Sequence, residues 1–507
     1  MTETLTLDPP VEKGPFRDCP VTGLKVHLPA QNLIIANAVA AVVALLVGGV
    51  FAILIALTRA PAVKLLPAEM FYRLLTAHGT DMLVFWIVFF EIAGLYFGGA
   101  VLLNARLVKP GLGWVAFGLM VGGAVLTNII MLAGKADVMF TAYPPMQAHP
   151  MFYFGVILFA VGALLAIGLF LATVITAKKE GKFTGSVPLV TYGLIVAAII
   201  GVFTLLAGAA AFVPTFLWSI GLMPSLDPGI YRIVFWAFGH PAQQVNLAAT
   251  VAVWYALATL TVGAQPLNEK LSRFAFLLYI LFINLGSMHH LLVDPALGQM
   301  DRIINTSYFM YLAVVGSMIH AYSIPAAVEV AQRKKGITGL FGWLKKAPWG
   351  EPGFAALAVS LLIFGFIGGV SGVIQGNYQI NLIAHNTLRI PGHFHATVVG
   401  GTSLAFMGLT YYLLPLMTQK NLRGRAWAKV QPYIFGPGIA ILSLGLLWSG
   451  IQGVPRRTAD ISGIAGLAGA NGTLNLAAIG GAIAFVGLVI YVVIAVATLL
   501  GPKQAKS

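Results

Sequence analysis

Twelve apolar runs, each long enough to cross a bilayer, constrain what this chain can fold into more than any other feature. A membrane-spanning helix needs roughly 20 apolar residues. Runs that meet this length lie near 31–58, 76–104, 112–134, 149–177, 188–222, 231–263, 271–293, 305–331, 353–375, 390–417, 433–453 and 474–500. The pattern predicts an all-α, polytopic membrane protein with three parts. These are a polar segment over 1–30, a single twelve-helix domain over 31–500, and a short tail over 501–507. Of 507 residues, 59% are hydrophobic and only 9% are charged, too few charges to cover a soluble chain of this length.

Charge sets the expected orientation. With twelve spans, both termini and the even-numbered loops share one side. About two thirds of the 30 Lys and Arg residues fall there, Arg333, Lys334, Lys335, Lys345 and Lys346 among them. Positive charge collects in the cytoplasm, so both termini are expected there, in the inner (cytoplasmic) membrane. The net charge of +14 follows from this topology and calls for no nucleic-acid partner. Residues 1–30 carry Asp8, Glu12 and Asp18 and do not read as a cleaved signal peptide. The single cysteine, Cys19, excludes an internal disulfide, a CxxCH haem attachment and a two-cysteine copper centre, so any such electron carrier belongs to another chain.

Six of the ten histidines form a pattern. His78 lies in "TAHGTDM" on the second run and His240 in "GHPAQQVN" on the sixth. His289 and His290 close the seventh in "GSMHHLL", and His393 and His395 open the tenth in "PGHFHATV". In the expected topology all six share one depth, near the outer face. Polar groups in hydrocarbon are costly and mark function. Residues two apart on a helix differ by about 200°, so His393 and His395 face opposite sides and serve two different planar cofactors. His78 is then free to be the second axial ligand of one haem, leaving the other haem an open position. His240, His289 and His290 are enough to hold a third metal with a vacant site for substrate.

The set "AHG", "GHP", "HH" and "HFH", in that order, resembles subunit I of the haem–copper oxidase superfamily, and more closely its B-family. The stretches "HNTLRIPGHFHATVVGGTSLAFMGLTYYLLP", "YPPMQAHPMFY", "FGWLKKAPW" and "VPRR" are similar to the same family. The resemblance implies that His393 binds a high-spin haem and that His78 and His395 bind a low-spin haem, both of b-type. It implies a second active-site metal, copper or iron, on His240, His289 and His290. His385 falls where the family places a histidine near the haem propionates, and Arg456 and Arg457 match the arginine pair that grips them. Electrons are expected from a donor subunit carrying copper or haem c, from cytochrome c, or from quinol. Membrane lipid surrounds the domain.

One position departs from the oxygen-reducing members. They carry a tyrosine four residues after the sixth-run histidine, and here that residue is Gln244. An amide supplies neither an electron nor a hydrogen atom for O–O cleavage. A second family position for this tyrosine, on the seventh run, is Ile283, with Tyr279 about 6 Å off along the axis. Tyr255 lies about 22 Å from His240 along its helix. Coupling two NO molecules to N2O needs two electrons, which a two-metal centre supplies. Nitric oxide reductases of the superfamily place a glutamate at the spacing of Gln244, whose carbonyl suits a metal or a hydrogen bond. A packing glutamine that fills the phenol's space is the bland alternative. The resemblance with this exchange points to NO reduction. The rivals are an oxygen reductase without the tyrosine, an NO dismutase, a haem-based gas sensor and a plain transporter.

Proton handling is expected to differ as well. Val251 stands where the family has a further tyrosine, Ser317 and His320 fall near its serine and threonine positions, and Asn381 replaces an aspartate. Asp81 suits either a partner that orients a histidine or a solvent-facing acid. Glu91 suits either a pairing or a proton-carrying role. His27 and His149 read as structural.

Overall fold

The computed structural model describes residues 15–19 and 22–503. The calls on Asp8 and Glu12, and most of the tail, lie outside them. The all-α expectation holds, with one short hairpin (Phe16–Asp18 paired antiparallel with Lys25–His27) leading into the first helix.

Among the described residues, eleven helices are long and apolar enough to span a membrane: α1 Leu28–Arg59, α2 Ala68–Val101, α3 Pro110–Leu132, α4 Pro150–Lys179, α5 Leu189–Ser219, α6 Pro228–Val262, α8 Gln299–Lys334, α9 Pro352–Gly376, α10 Arg389–Thr418, α11 Arg425–Ile451 and α12 Ala468–Leu500. The seventh expected span, α7 over 269–291, exists but changes winding twice. An α-helical start (Glu269–Leu278) passes through a wide π-turn (Tyr279–Ile283) to a tight 3₁₀ end (Gly286–Leu291). Two starts were placed eight residues late. Helix α2 begins at Ala68 and α11 at Arg425, because their first turns carry polar residues (Glu69 and Arg73; Arg425 and Lys429) that the apolar runs leave out.

Local chemistry sets several boundaries. Proline occupies the first turn of α3, α4, α6 and α9, where its missing N–H costs nothing. Asp227 caps α6 by accepting from the Ile230 N–H at 2.8 Å, and Asn268 caps α7 by accepting from Leu271 at 3.0 Å. Small residues let neighbouring helices touch backbone to backbone. A methyl on Gly445 of α11 would sit 2.7 Å from the Ala477 nitrogen of α12.

Wide turns occur on three of the four helices that bear the histidine set, α2, α7 and α10, and on α9 beside them. They follow His78 on α2 (Asp81–Phe85) and start at His395 on α10 (His395–Ser403), and α9 carries one at Ile363–Gly369. Such turns reorient the side chains beside them and free backbone carbonyls.

Candidate metal centre

Three imidazoles meet where α6 passes the tight end of α7. His240, His289 and His290 each offer a ring nitrogen, all within 4.8 Å of one another. His289 and His290 are consecutive residues on the 3₁₀ segment Gly286–Leu291, and their side chains bring the ring centroids to 4.0 Å of each other. His289 donates from Nδ1 to the Gly286 carbonyl at 2.7 Å, which leaves its Nε2 as the bare, ligating nitrogen. His240 Nδ1 and His290 Nε2 are 3.2 Å apart. Three neutral nitrogens converging without a carboxylate suit a transition metal, with coordination positions left for substrate.

On α10, His393 and His395 diverge as their spacing predicts. The His395 ring lies nearly parallel to that of His78 on α2, with centroids 6.3 Å apart and planes 16° apart. Two metal–nitrogen bonds of about 2.1 Å plus two imidazole half-widths of about 1.1 Å span roughly that distance, so this pair fits the two faces of one planar iron group. His78 donates from Nδ1 to Gly48 O at 3.0 Å and His395 from Nδ1 to Pro391 O at 2.7 Å, which aims both Nε2 atoms into the gap. His393 turns to α9, where Nδ1 meets Gly368 O at 2.9 Å. All six histidines line one cavity of about 900 Å³, at the upper end of the range for cofactor sites.

A smaller cavity of about 260 Å³ lies beside the larger one, lined by Arg232, Asp294, His385, Arg456 and Arg457 among others. An isolated bridge between Thr387 and Pro455, with Arg456 N donating to Asn386 O at 2.9 Å, fixes the loop that carries the arginine pair. Asp294 is taken by Arg232 at 2.9 Å. Burial, then the neighbouring Arg457, pushes Arg456 down to about 10. Burial, then Arg456, pushes His385 down to about 3, so its ring is neutral at pH 7. Two adjoining, half-buried guanidinium groups that form no ion pair among the described residues suit an anionic group such as a haem propionate.

Gln244 lines the large cavity one turn below His240, and so does its neighbour Gln243. Val251, about two turns further along α6, and Ile283 on α7 line the same cavity. Tyr255 on α6 and Tyr279 on α7 pair with other groups: Tyr279 OH with Ser317 Oγ at 3.1 Å, and Tyr255 OH with Ser272 Oγ at 3.0 Å and His320 Nδ1 at 3.1 Å. Ser317 and His320 thus join one polar cluster with both tyrosines, below the three imidazoles. Asn381 donates to Gln375 O at 2.9 Å.

Of the intramembrane acids, Asp81 takes neither expected role. It is buried and accepts from Asn128 Nδ2 at 2.8 Å, while His78 is oriented by a backbone carbonyl instead. The turn after His78 rotates Asp81 toward α3. Glu91 pairs across to α6, where Asn246, with its amide nitrogen toward the acceptors, donates to Glu91 Oε1 at 2.9 Å. His27 accepts from Leu107 N and His149 caps α4 through Met151 N, both structural roles.

Two residues by the centre were not singled out from the sequence. Trp236, one turn before His240, lies flat on His290, and its indole N–H donates to Tyr143 OH at 2.5 Å. The i−4 spacing from His240 was a usable signal for Trp236. Tyr143 comes from the α3–α4 loop and opens the family-like stretch "YPPMQAHPMFY", which was its only signal.

Residues 32–483 match the family described as cytochrome C and quinol oxidase polypeptide I. Cytochrome c oxidase subunit 1 of Thermus thermophilus is 32% identical over 404 residues, 78% of this chain and 70% of the relative. Quinol oxidase subunit 1 of Bacillus subtilis is 24% identical, over 83% of this chain and 64% of the relative. A haem–copper terminal oxidase dimer solved by electron cryo-microscopy superposes with a TM-score of 0.87 at 26% identity, covering 94% of this chain and 85% of that one.

Proposed function

The chain belongs to the cytochrome c and quinol oxidase polypeptide I family, haem–copper oxidase subunit I, and from that premise we propose that it is a membrane nitric oxide reductase. The reaction joins two NO with two electrons and two protons to give N2O and water. The observation that carries this reading is Gln244, which lines the cavity one turn along α6 from His240 where a phenol would serve O2, while the hydroxyls of Tyr255 and Tyr279 are held by other partners. Splitting O2 draws on a nearby phenol for an electron and a proton. N–N coupling does not.

In this reading His240, His289 and His290 hold the non-haem metal, copper or iron. His393 holds a high-spin haem, and His78 and His395 hold a low-spin one, both of b-type. When bound, these groups supply the electrons and the coordination positions at which two NO molecules meet. The protein's own part is to aim the nitrogens through backbone carbonyls, to hold propionates on Arg456 and Arg457 beside His385, and to offer the Gln244 amide to the metal or its ligand. A donor subunit with copper or haem c, cytochrome c, or quinol feeds the low-spin site. The domain lies in the cytoplasmic membrane with both termini inside and the metal centre toward the outer face.

Anaerobic gas analysis of the purified complex with a reductant tests this directly. Fast N2O formation from NO with negligible O2 uptake supports the reading. Fast O2 uptake with little N2O overturns it in favour of the second reading, a terminal oxygen reductase. One contact favours that alternative: Trp236, stacked on His290 and bonded to Tyr143, is an oxidisable pair touching a candidate metal ligand. Relatives named cytochrome c oxidase and quinol oxidase agree with it.

A further inference from the structure

We propose that Ser371 on α9 is a positioning residue for His393, sharing the imidazole Nδ1–H with Gly368 and so setting the ring's rotation and the donor strength of its Nε2. The inference rests on the reading that His393 is a haem ligand, and is independent of whether the substrate is NO or O2.

Three contacts carry it. His393 Nδ1 lies 2.9 Å from Gly368 O and 3.1 Å from Ser371 Oγ. The serine hydroxyl hydrogen is directed to backbone, to Ile367 O at 2.5 Å or Gly368 O at 3.0 Å, which leaves an oxygen lone pair for the imidazole N–H. The third contact is steric: a methyl on Gly372 would sit 2.7 Å from His393 Cε1 and 3.4 Å from Nδ1. Glycine there lets the α9 backbone press against the ring edge, so Ser371 and Gly372 confine the imidazole from one side. The wide turn at Ile363–Gly369 directly precedes this segment and leaves the Gly368 carbonyl available.

A hydroxyl that only bonded back to its own helix would stabilise α9 without regard to His393. Here the same oxygen is also within reach of the ring. Two acceptors on one N–H draw the proton from the imidazole and make its other nitrogen a stronger donor. A shared neutral hydrogen bond of about 0.5–1.5 kcal/mol corresponds to roughly two- to tenfold in an equilibrium constant.

The test uses the full, haem-loaded complex, reading the iron–histidine stretching band by resonance Raman and the high-spin haem's reduction equilibrium by spectroelectrochemistry. Ser371→Ala is expected to lower the band frequency and shift the equilibrium roughly two- to tenfold toward the reduced haem. Ser371→Thr is expected to restore both, and Gly372→Ala to shift the band by turning the ring. A Ser371→Ala protein with full haem content and unmoved band and potential overturns the proposal. If that variant does not assemble, an unmoved band in the Gly372→Ala protein overturns it instead. Retention of the band and of both haems in His393→Ala would refute the ligand reading, a separate failure.

Discussion

Trp236 and His290 stack face to face, with ring centroids 3.9 Å apart and planes 7° from parallel. The contact joins α6 to the 3₁₀ end of α7, so one of three candidate metal ligands is held by an aromatic plane as well as by its own helix. The indole N–H continues to Tyr143 on the α3–α4 loop. Burial raises the Tyr143 hydroxyl above the ordinary phenol range, with Arg456 partly opposing it, so the phenol keeps its proton at neutral pH.

This relationship separates the two functional readings. Trp236→Phe keeps an aromatic plane on His290 and removes the indole N–H. If the chain reduces NO, turnover to N2O should fall by less than about threefold. If Trp236 and Tyr143 supply an electron and a proton to O2, O2 reduction should fall by about a hundredfold or more, the scale of a lost proton donor.

Gln244→Ala tests whether the amide does chemistry. As a ligand or hydrogen-bond partner at the metal, its removal should cost roughly ten- to a hundredfold in turnover, with haem spectra intact. Gln244→Glu should then retain more activity than Ala. Equal, near-wild-type rates for all three proteins would leave Gln244 as packing.

His289→Asn should abolish binding of the non-haem metal while both haems remain, since His289 lies with His240 and His290 and apart from the parallel His78–His395 pair. Elemental analysis beside the haem spectrum reads this directly. Loss of a haem in place of the metal would refute the partition of histidines.

Packing under the haem-bearing helix can be probed at Gly450. A methyl there falls on the backbone of Arg389, where α10 begins four residues before His393. No side chain can move aside to relieve the clash, so Gly450→Ala should destabilise the protein by about 1–3 kcal/mol and lower haem occupancy. Thermal unfolding of the detergent-solubilised protein measures the first, and the haem-to-protein ratio the second. Unchanged values would show that α10 and α11 separate without cost.

Much of this architecture was legible in residue order. Span number follows from apolar length, which is a local property, and the opposed facing of His393 and His395 follows from helical pitch alone. The convergence of His240 with the pair on α7 was readable because all three lie near helix ends expected at one depth. The bond partners of Asp81, Glu91 and Trp236 were not. Each lies on a different helix or loop, and which faces meet depends on the rotation and tilt of packed helices, quantities that no single helix's sequence encodes. The tight end of α7 belongs to the same class. The apolar run predicts a span there, but only the assembled bundle shows its last turn wound as a 3₁₀ helix, with both histidines turned to one centre. Sequence thus determined which groups are present and which spans carry them. Packing decided which of them touch, because a hydrogen bond or a metal site tolerates errors of tenths of an ångström, and hydrophobic burial along a helix does not set positions that finely.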